Sequence, residues 1–203
     1  MEELRRTNDV FLRGCVSEPP RVSHETRGEV YCRFSLEVRR LSGAADTVHI
    51  LARRALLEGL ELTEGGGEKL CVAGELRSFN NRSGTGPRLV ITVFARELRF
   101  EDGPDENRVE LTGTLCKAPT HRATPLGREI SDLMLAVNRR YGRSDYLPCI
   151  AWGLRARTAA LWDVGTAVHL TGRIQSRVYT KTVDGVGVEK TAYEVSVIEI
   201  EEV

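Results

Sequence analysis

The sequence predicts an all-β protein with short helices, built from two tandem five-stranded barrels. Three observations carry that prediction. The first is an internal repeat. Displaced by 99 positions, Asn8, Val10, Leu12 and Gly14 fall on Asn107, Val109, Leu111 and Gly113. The same displacement sets Pro20, Gly28, Leu36, Val38 and Arg40 on Pro119, Gly127, Leu135, Val137 and Arg139, and one position less sets Gly74, Leu76 and Ser78 on Gly172, Ile174 and Ser176. The second is apolar alternation of period two, which marks strands with one buried face. The third is length, since 203 residues suit two domains of the commonest size, about 100 residues each.

In the second copy, Val109, Leu111, Gly113 and Leu115 alternate with polar residues as strand one. Leu133, Leu135 and Val137 do so in strand two, and Leu147, Cys149 and Ala151 in strand three. GLRARTAALWD (153–163) is rich in Ala, Leu and Arg without interior breakers and reads as a short helix, with Trp162 in the core. Val168, Leu170, Gly172 and Ile174 form strand four. Strand five, Val188 to Ile200, follows a turn at Asp184-Gly185. The first copy repeats this order, with RRALLEGLEL (53–62) as its helix. Three strands, a helix and two strands in so short a span is the order of an OB-fold barrel, although other small barrels share it. The acidic, Gly- and Pro-bearing segment EDGPDE (101–106) reads as the junction, dividing the chain into 1–102 and 103–203.

Composition narrows the class. Lys plus Arg and Asp plus Glu each number 29, so zero net charge excludes a polybasic tail. With 41% apolar and 29% charged residues the chain is foldable. No apolar run approaches the roughly 18 residues that span a bilayer. The amino terminus lacks a signal-peptide stretch, so a cytoplasmic protein is expected. Cys15, Cys32, Cys71, Cys116 and Cys149 are odd in number and scattered, as buried free thiols would be. Neither they nor the four histidines have metal-ligand spacing, and no cofactor is expected. Asp132, Asp145 and Asp163 are dispersed and no G-x-S-x-G or P-loop occurs, so no enzyme is expected.

The outer faces carry the functional signal. With Leu147, Cys149 and Ala151 inward, Tyr146, Ile150 and Trp152 face outward together. In GRIQSRVYTK (172–181), Gly172, Ile174, Ser176 and Val178 go inward while Arg173, Gln175, Arg177 and Tyr179 are displayed, with Lys181 beyond. NRRYGR (138–143) adds Arg139, Arg140, Tyr141 and Arg143 at a hairpin tip. Rings on a solvent-facing sheet expose apolar area, whereas single-stranded nucleic acid uses them: bases stack for about 1–3 kcal/mol each and guanidiniums follow the phosphates. Two readings compete. Tyr141 shares the parity of Val137 and could fold over a barrel end, and Trp152 opens the helix and could cap the core.

At these residues the second copy resembles the bacterial single-stranded DNA-binding proteins of the tetrameric OB-fold family. The resemblance lies in N-x-V-x-L-x-G (107–113), LAV (135–137), AWG (151–153) and GRIQSRVY (172–179). It implies stacking of DNA on Tyr141, Tyr146, Trp152 and Tyr179, phosphate contacts from the basic residues named above, and non-enzymatic, largely sequence-independent binding in replication, recombination or repair. The first copy departs from the pattern. Ser42, Thr47 and Arg53 replace Tyr141, Tyr146 and Trp152, Asn81 replaces Tyr179 and Glu75 replaces Arg173, which leaves a structural barrel touching DNA weakly through Arg53, Arg77, Phe79 and Arg82. The family's flexible, acidic-tipped extension has no counterpart after SVIEIEEV, which raises the alternative of an accessory primosome-like or mobile-element scaffold acting through protein contacts. RNA is a variant ligand, since nothing in the sequence reads a 2′-hydroxyl. Because the family presents four barrels, a homodimer is expected, in a cytoplasmic, nucleoid-associated setting with replication or recombination proteins as partners.

Overall fold

A computed structural model of the chain describes residues 7–65, 68–81, 89–139, 142–183 and 186–203, with the backbone alone at 179, 181–183 and 186. The first copy forms β1 (Asn8–Thr26), β2 (Glu29–Arg39), β3 (Ala45–Arg53), β4 (Leu70–Asn80) and β5 (Leu89–Phe100). The second forms β6 (Glu106–Leu115), β7 (Thr120–Ala123), β8 (Glu129–Asn138), β9 (Ser144–Trp152), α1 (Leu154–Ala159), β10 (Ala167–Val183) and β11 (Val186–Glu202). Within the first copy the hydrogen-bonded order is β2-β3-β5-β4-β1, closed by β1–β2; in the second it is β6-β10-β11-β9-β8, closed by β6–β8, with β7 added beside β8. Both copies join their third and fifth strands in parallel, Ile50 beside Val93 and Val195 beside Cys149. These are two OB-fold barrels.

The alternation sets the cores. Leu12, Phe34, Leu36, Ile50, Leu70 and Leu76 fill the first, and Leu111, Leu115, Leu135, Leu147, Leu170 and Ile174 fill the second. Repeat-matched glycines mark where strands cross closely. A Cβ on Gly113 would stand 2.6 Å from the Ala136 carbonyl oxygen, and one on Gly14 2.2 Å from that of Glu37. No side chain fits between backbones so close.

Several expectations change. The first copy's helix is a single 3-10 turn, Arg54–Leu57, while the second copy has a true α-helix only over Leu154–Ala159. Trp162 is half-buried rather than core. Cys32, Cys71 and Cys149 are buried, whereas Cys15 and Cys116 are only partly covered. Inward parity in β10 ends at Ile174, because Val178 is exposed where β10 and β11 continue together as a long hairpin. The Asp184-Gly185 turn lies outside the described residues.

The chain packs as two compact units. One contains 8–77 and 92–109; the other contains 1–7, 78–91 and 110–203, so the end of β4 and the start of β5 belong with the second barrel. The junction is pinned rather than loose. Asp105 accepts hydrogen bonds from the Arg39 amide (2.6 Å) and from Lys69, and Glu101 accepts from Arg13 at 2.6 Å. Among the described residues no helix is long and apolar enough to cross a membrane.

Candidate nucleic-acid interface

The outer face of the second barrel follows from the pairing of β8 with β9. Residues opposite one another share a face, so Ala136/Tyr146, Met134/Pro148, Asp132/Ile150 and Ile130/Trp152 form one surface. Tyr146 opens β9 at 51% exposure, and Trp152 closes it half-buried, about 20 Å further along at the usual strand rise. Ile150, expected outward with them, is only 3% exposed because Asp132 on β8 and Ser196 on β11 flank it. Its position in the middle of the sheet, not its parity, buries it.

The face continues onto the β10–β11 ribbon, where Arg173 lies opposite Ser196, Gln175 opposite Glu194 and Arg177 opposite Ala192. Gln175 is buried, its Nε2 donating to Glu194 Oε1 at 2.8 Å. Arg177 is exposed and lies 3.6 Å from the same carboxylate. Arg173 is half-buried, and its Nε has no hydrogen-bond partner among the described residues. Arg143 is exposed at the β8–β9 hairpin. Arg122 on β7, which sequence reasoning missed, holds Asp132 at 2.7 Å, and that carboxylate keeps its guanidinium protonated above the ordinary range. Only β7, a strand with no apolar alternation, brings it there. Arg140 and Tyr141 lie outside the described residues, as do the side chains of Tyr179 and Lys181.

Arg139, expected to meet phosphate, turns into the hairpin and engages the fully buried Asp145 through Nε at 2.6 Å and also through Nη2. The same carboxylate accepts the Ser78 amide at 2.6 Å, Arg139 Nη2 reaches the Ser78 carbonyl at 3.2 Å, and the Tyr146 amide donates to Ser78 Oγ at 2.8 Å. A buried carboxylate requires this much compensation. The first copy keeps the ion pair at its own β2–β3 hairpin, Arg40 to Asp46 at 2.5 Å.

Beside this cluster lies a groove of about 620 Å³, lined by Phe79 and Tyr146 together with Met134, Leu89 and Lys117. Phe79, assigned by sequence to the weak face of the first barrel, is 50% exposed here. No local pattern in the sequence singles out Lys117. Of the other first-copy candidates, Arg53 sits 4.0 Å from Glu29, Arg77 pairs with Glu75 and lies 6.0 Å over the Phe94 ring, and Arg82 falls outside the described residues.

Residues 106–203 match the model of the Single-strand binding protein family. Single-stranded DNA-binding protein 2 of Listeria innocua is 38% identical over 80 residues, 36% of this chain and 50% of its own length. Single-stranded DNA-binding protein A of Bacillus subtilis is 35% identical over 80 residues, 36% of this chain and 46% of its own. The chain thus spans about half the length of the curated relatives it matches. The crystal structure of the wild-type single-stranded DNA-binding protein from Thermus aquaticus superposes with a TM-score of 0.77 at 23% identity, covering 98% of this chain and 93% of that one. That likeness shows the tandem-barrel fold.

Proposed function

We propose that this chain, whose carboxyl-terminal half belongs to the single-strand binding protein family, binds single-stranded DNA without catalysing a reaction and largely without regard to sequence. One observation carries the reading: the family-matching barrel exposes Tyr146 on the same sheet face as Trp152, where packing alone favours small or polar residues. The names of the Listeria and Bacillus relatives agree with it. Tyr141, Tyr146, Trp152 and Tyr179 stack bases, and Arg140, Arg143, Arg173, Arg177 and Lys181 meet phosphates. Arg177 exchanges Glu194 for phosphate on binding, while Arg139 positions the hairpin instead of touching DNA. Two chains associate to present four barrels, acting in replication, recombination or repair in the cytoplasm.

The test is titration of oligo-dT, duplex DNA and oligo-rU at two salt concentrations. Tight binding to oligo-dT alone, with log affinity falling by about 0.7 per phosphate contacted for each tenfold rise in salt, supports the reading. Absence of oligo-dT binding, with a protein partner captured instead, favours the scaffold alternative. Light scattering that returns a 22.6 kDa species at micromolar concentration would refute the dimer.

A further inference from the structure

We infer that Phe79 and Tyr146 form a preorganised slot for an unpaired base, so that the end of β4 supplies a stacking surface to the second barrel. The inference rests on the single-strand reading above and moves Phe79, expected as a weak contact of the first barrel, to a stacking role beside Tyr146. Two half-exposed rings from strands distant in sequence wall one groove. Its volume, about 620 Å³, lies within the roughly 300–1,000 Å³ of small-molecule sites. The groove's charge fits the same occupant: Lys117 is the charged lining residue, and no carboxylate lines it among the described residues. A base stacked between the rings would leave its phosphate near that ammonium, with Asn80 and Ser144 able to bond its edge.

The hydrogen bonds around Ser78 hold the two ring-bearing strand ends in place. Ser78 immediately precedes Phe79, and Asp145 immediately precedes Tyr146. The Ser78 amide to Asp145, the Tyr146 amide to Ser78 Oγ and Arg139 Nη2 to the Ser78 carbonyl tie the two strand ends together at 2.6, 2.8 and 3.2 Å. Neither strand end can swing to close the rings on each other without breaking buried polar contacts. An open slot held by a buried network spares the ordering that a base would otherwise impose.

The experiment compares oligo-dT affinity of the full chain with that of Phe79→Leu, Phe79→Tyr and Tyr146→Leu, each checked for an unchanged unfolding temperature. Leucine fills similar space without a ring. Phe79→Leu and Tyr146→Leu are each expected to weaken binding about 5- to 150-fold, and Phe79→Tyr to keep it within about twofold. If the unaltered chain binds but Phe79→Leu binds equally well, or Phe79→Tyr loses as much as leucine, the slot is overturned while the single-strand reading stands. If the unaltered chain does not bind oligo-dT, that reading itself fails.

Discussion

Asp145→Ala is the most informative single change, because one buried carboxylate serves two strands. The substitution leaves the Arg139 guanidinium, 27% exposed, without its counter-ion and the buried Ser78 amide without its acceptor. Breaking a fully buried pair costs about 3–5 kcal/mol. The guanidinium here regains part of its hydration, which places its share near the bottom of that range, and an orphaned buried amide adds about 1–3 kcal/mol. The two terms overlap, since both groups relax together, so the expected loss is about 3–4 kcal/mol. For a chain of this size each kcal/mol lowers the unfolding temperature by about 2–4 °C, giving a drop of roughly 6–16 °C by calorimetry. Asp145→Asn should fall between, since it keeps one acceptor oxygen but no charge. Asp46→Ala probes the same pair in the first copy. A drop below about 2 °C for Asp145→Ala would show that water replaces the carboxylate freely, and the clamp at Ser78 would have to be abandoned.

Gly113→Ala puts a methyl 2.6 Å from the Ala136 carbonyl oxygen and should destabilise by about 1–3 kcal/mol in denaturant titration. Gly127→Ala, at an open turn, should cost less, and its cost would come from a positive φ of 74° instead. Burial lowers the pKa of His49, outweighing the opposing pull of Glu18, and Arg33 lowers it further. The unfolded chain therefore takes up this proton before the folded one does. Its contribution is complete above the ordinary histidine pKa, about 6.5, and is lost as pH falls below it. His49→Gln should flatten the stability–pH curve between pH 7 and 5, and an unchanged slope would remove His49 as its cause. Trp152→Ala should weaken oligo-dT binding by about 1–3 kcal/mol, measured by fluorescence anisotropy of a labelled oligonucleotide. Equal affinity would make Trp152 a packing residue.

The sequence by itself determined the repeat, the order of the five barrel strands in each copy and most of each core. Side chains alternate across a strand whatever surrounds it, so Leu111, Leu135 and Leu147 could be assigned inward from spacing alone. The matched glycines were visible for a related reason: close strand crossings recur at the same place in both barrels and exclude a Cβ each time. Parity, however, names a face and is silent about what lies beside it. Ile150 has outward parity yet is buried, because neighbouring strands in the sheet flank it. Arg139 stands in a basic hairpin, and only folding brings Asp145 and Ser78 to it, from 6 and 61 residues away. Phe79 and Tyr146 are 67 positions apart, on strands of different copies, and no periodic pattern links them. Tertiary structure alone decided that they wall one groove, because a buried carboxylate must gather its hydrogen-bond donors from wherever the chain can deliver them.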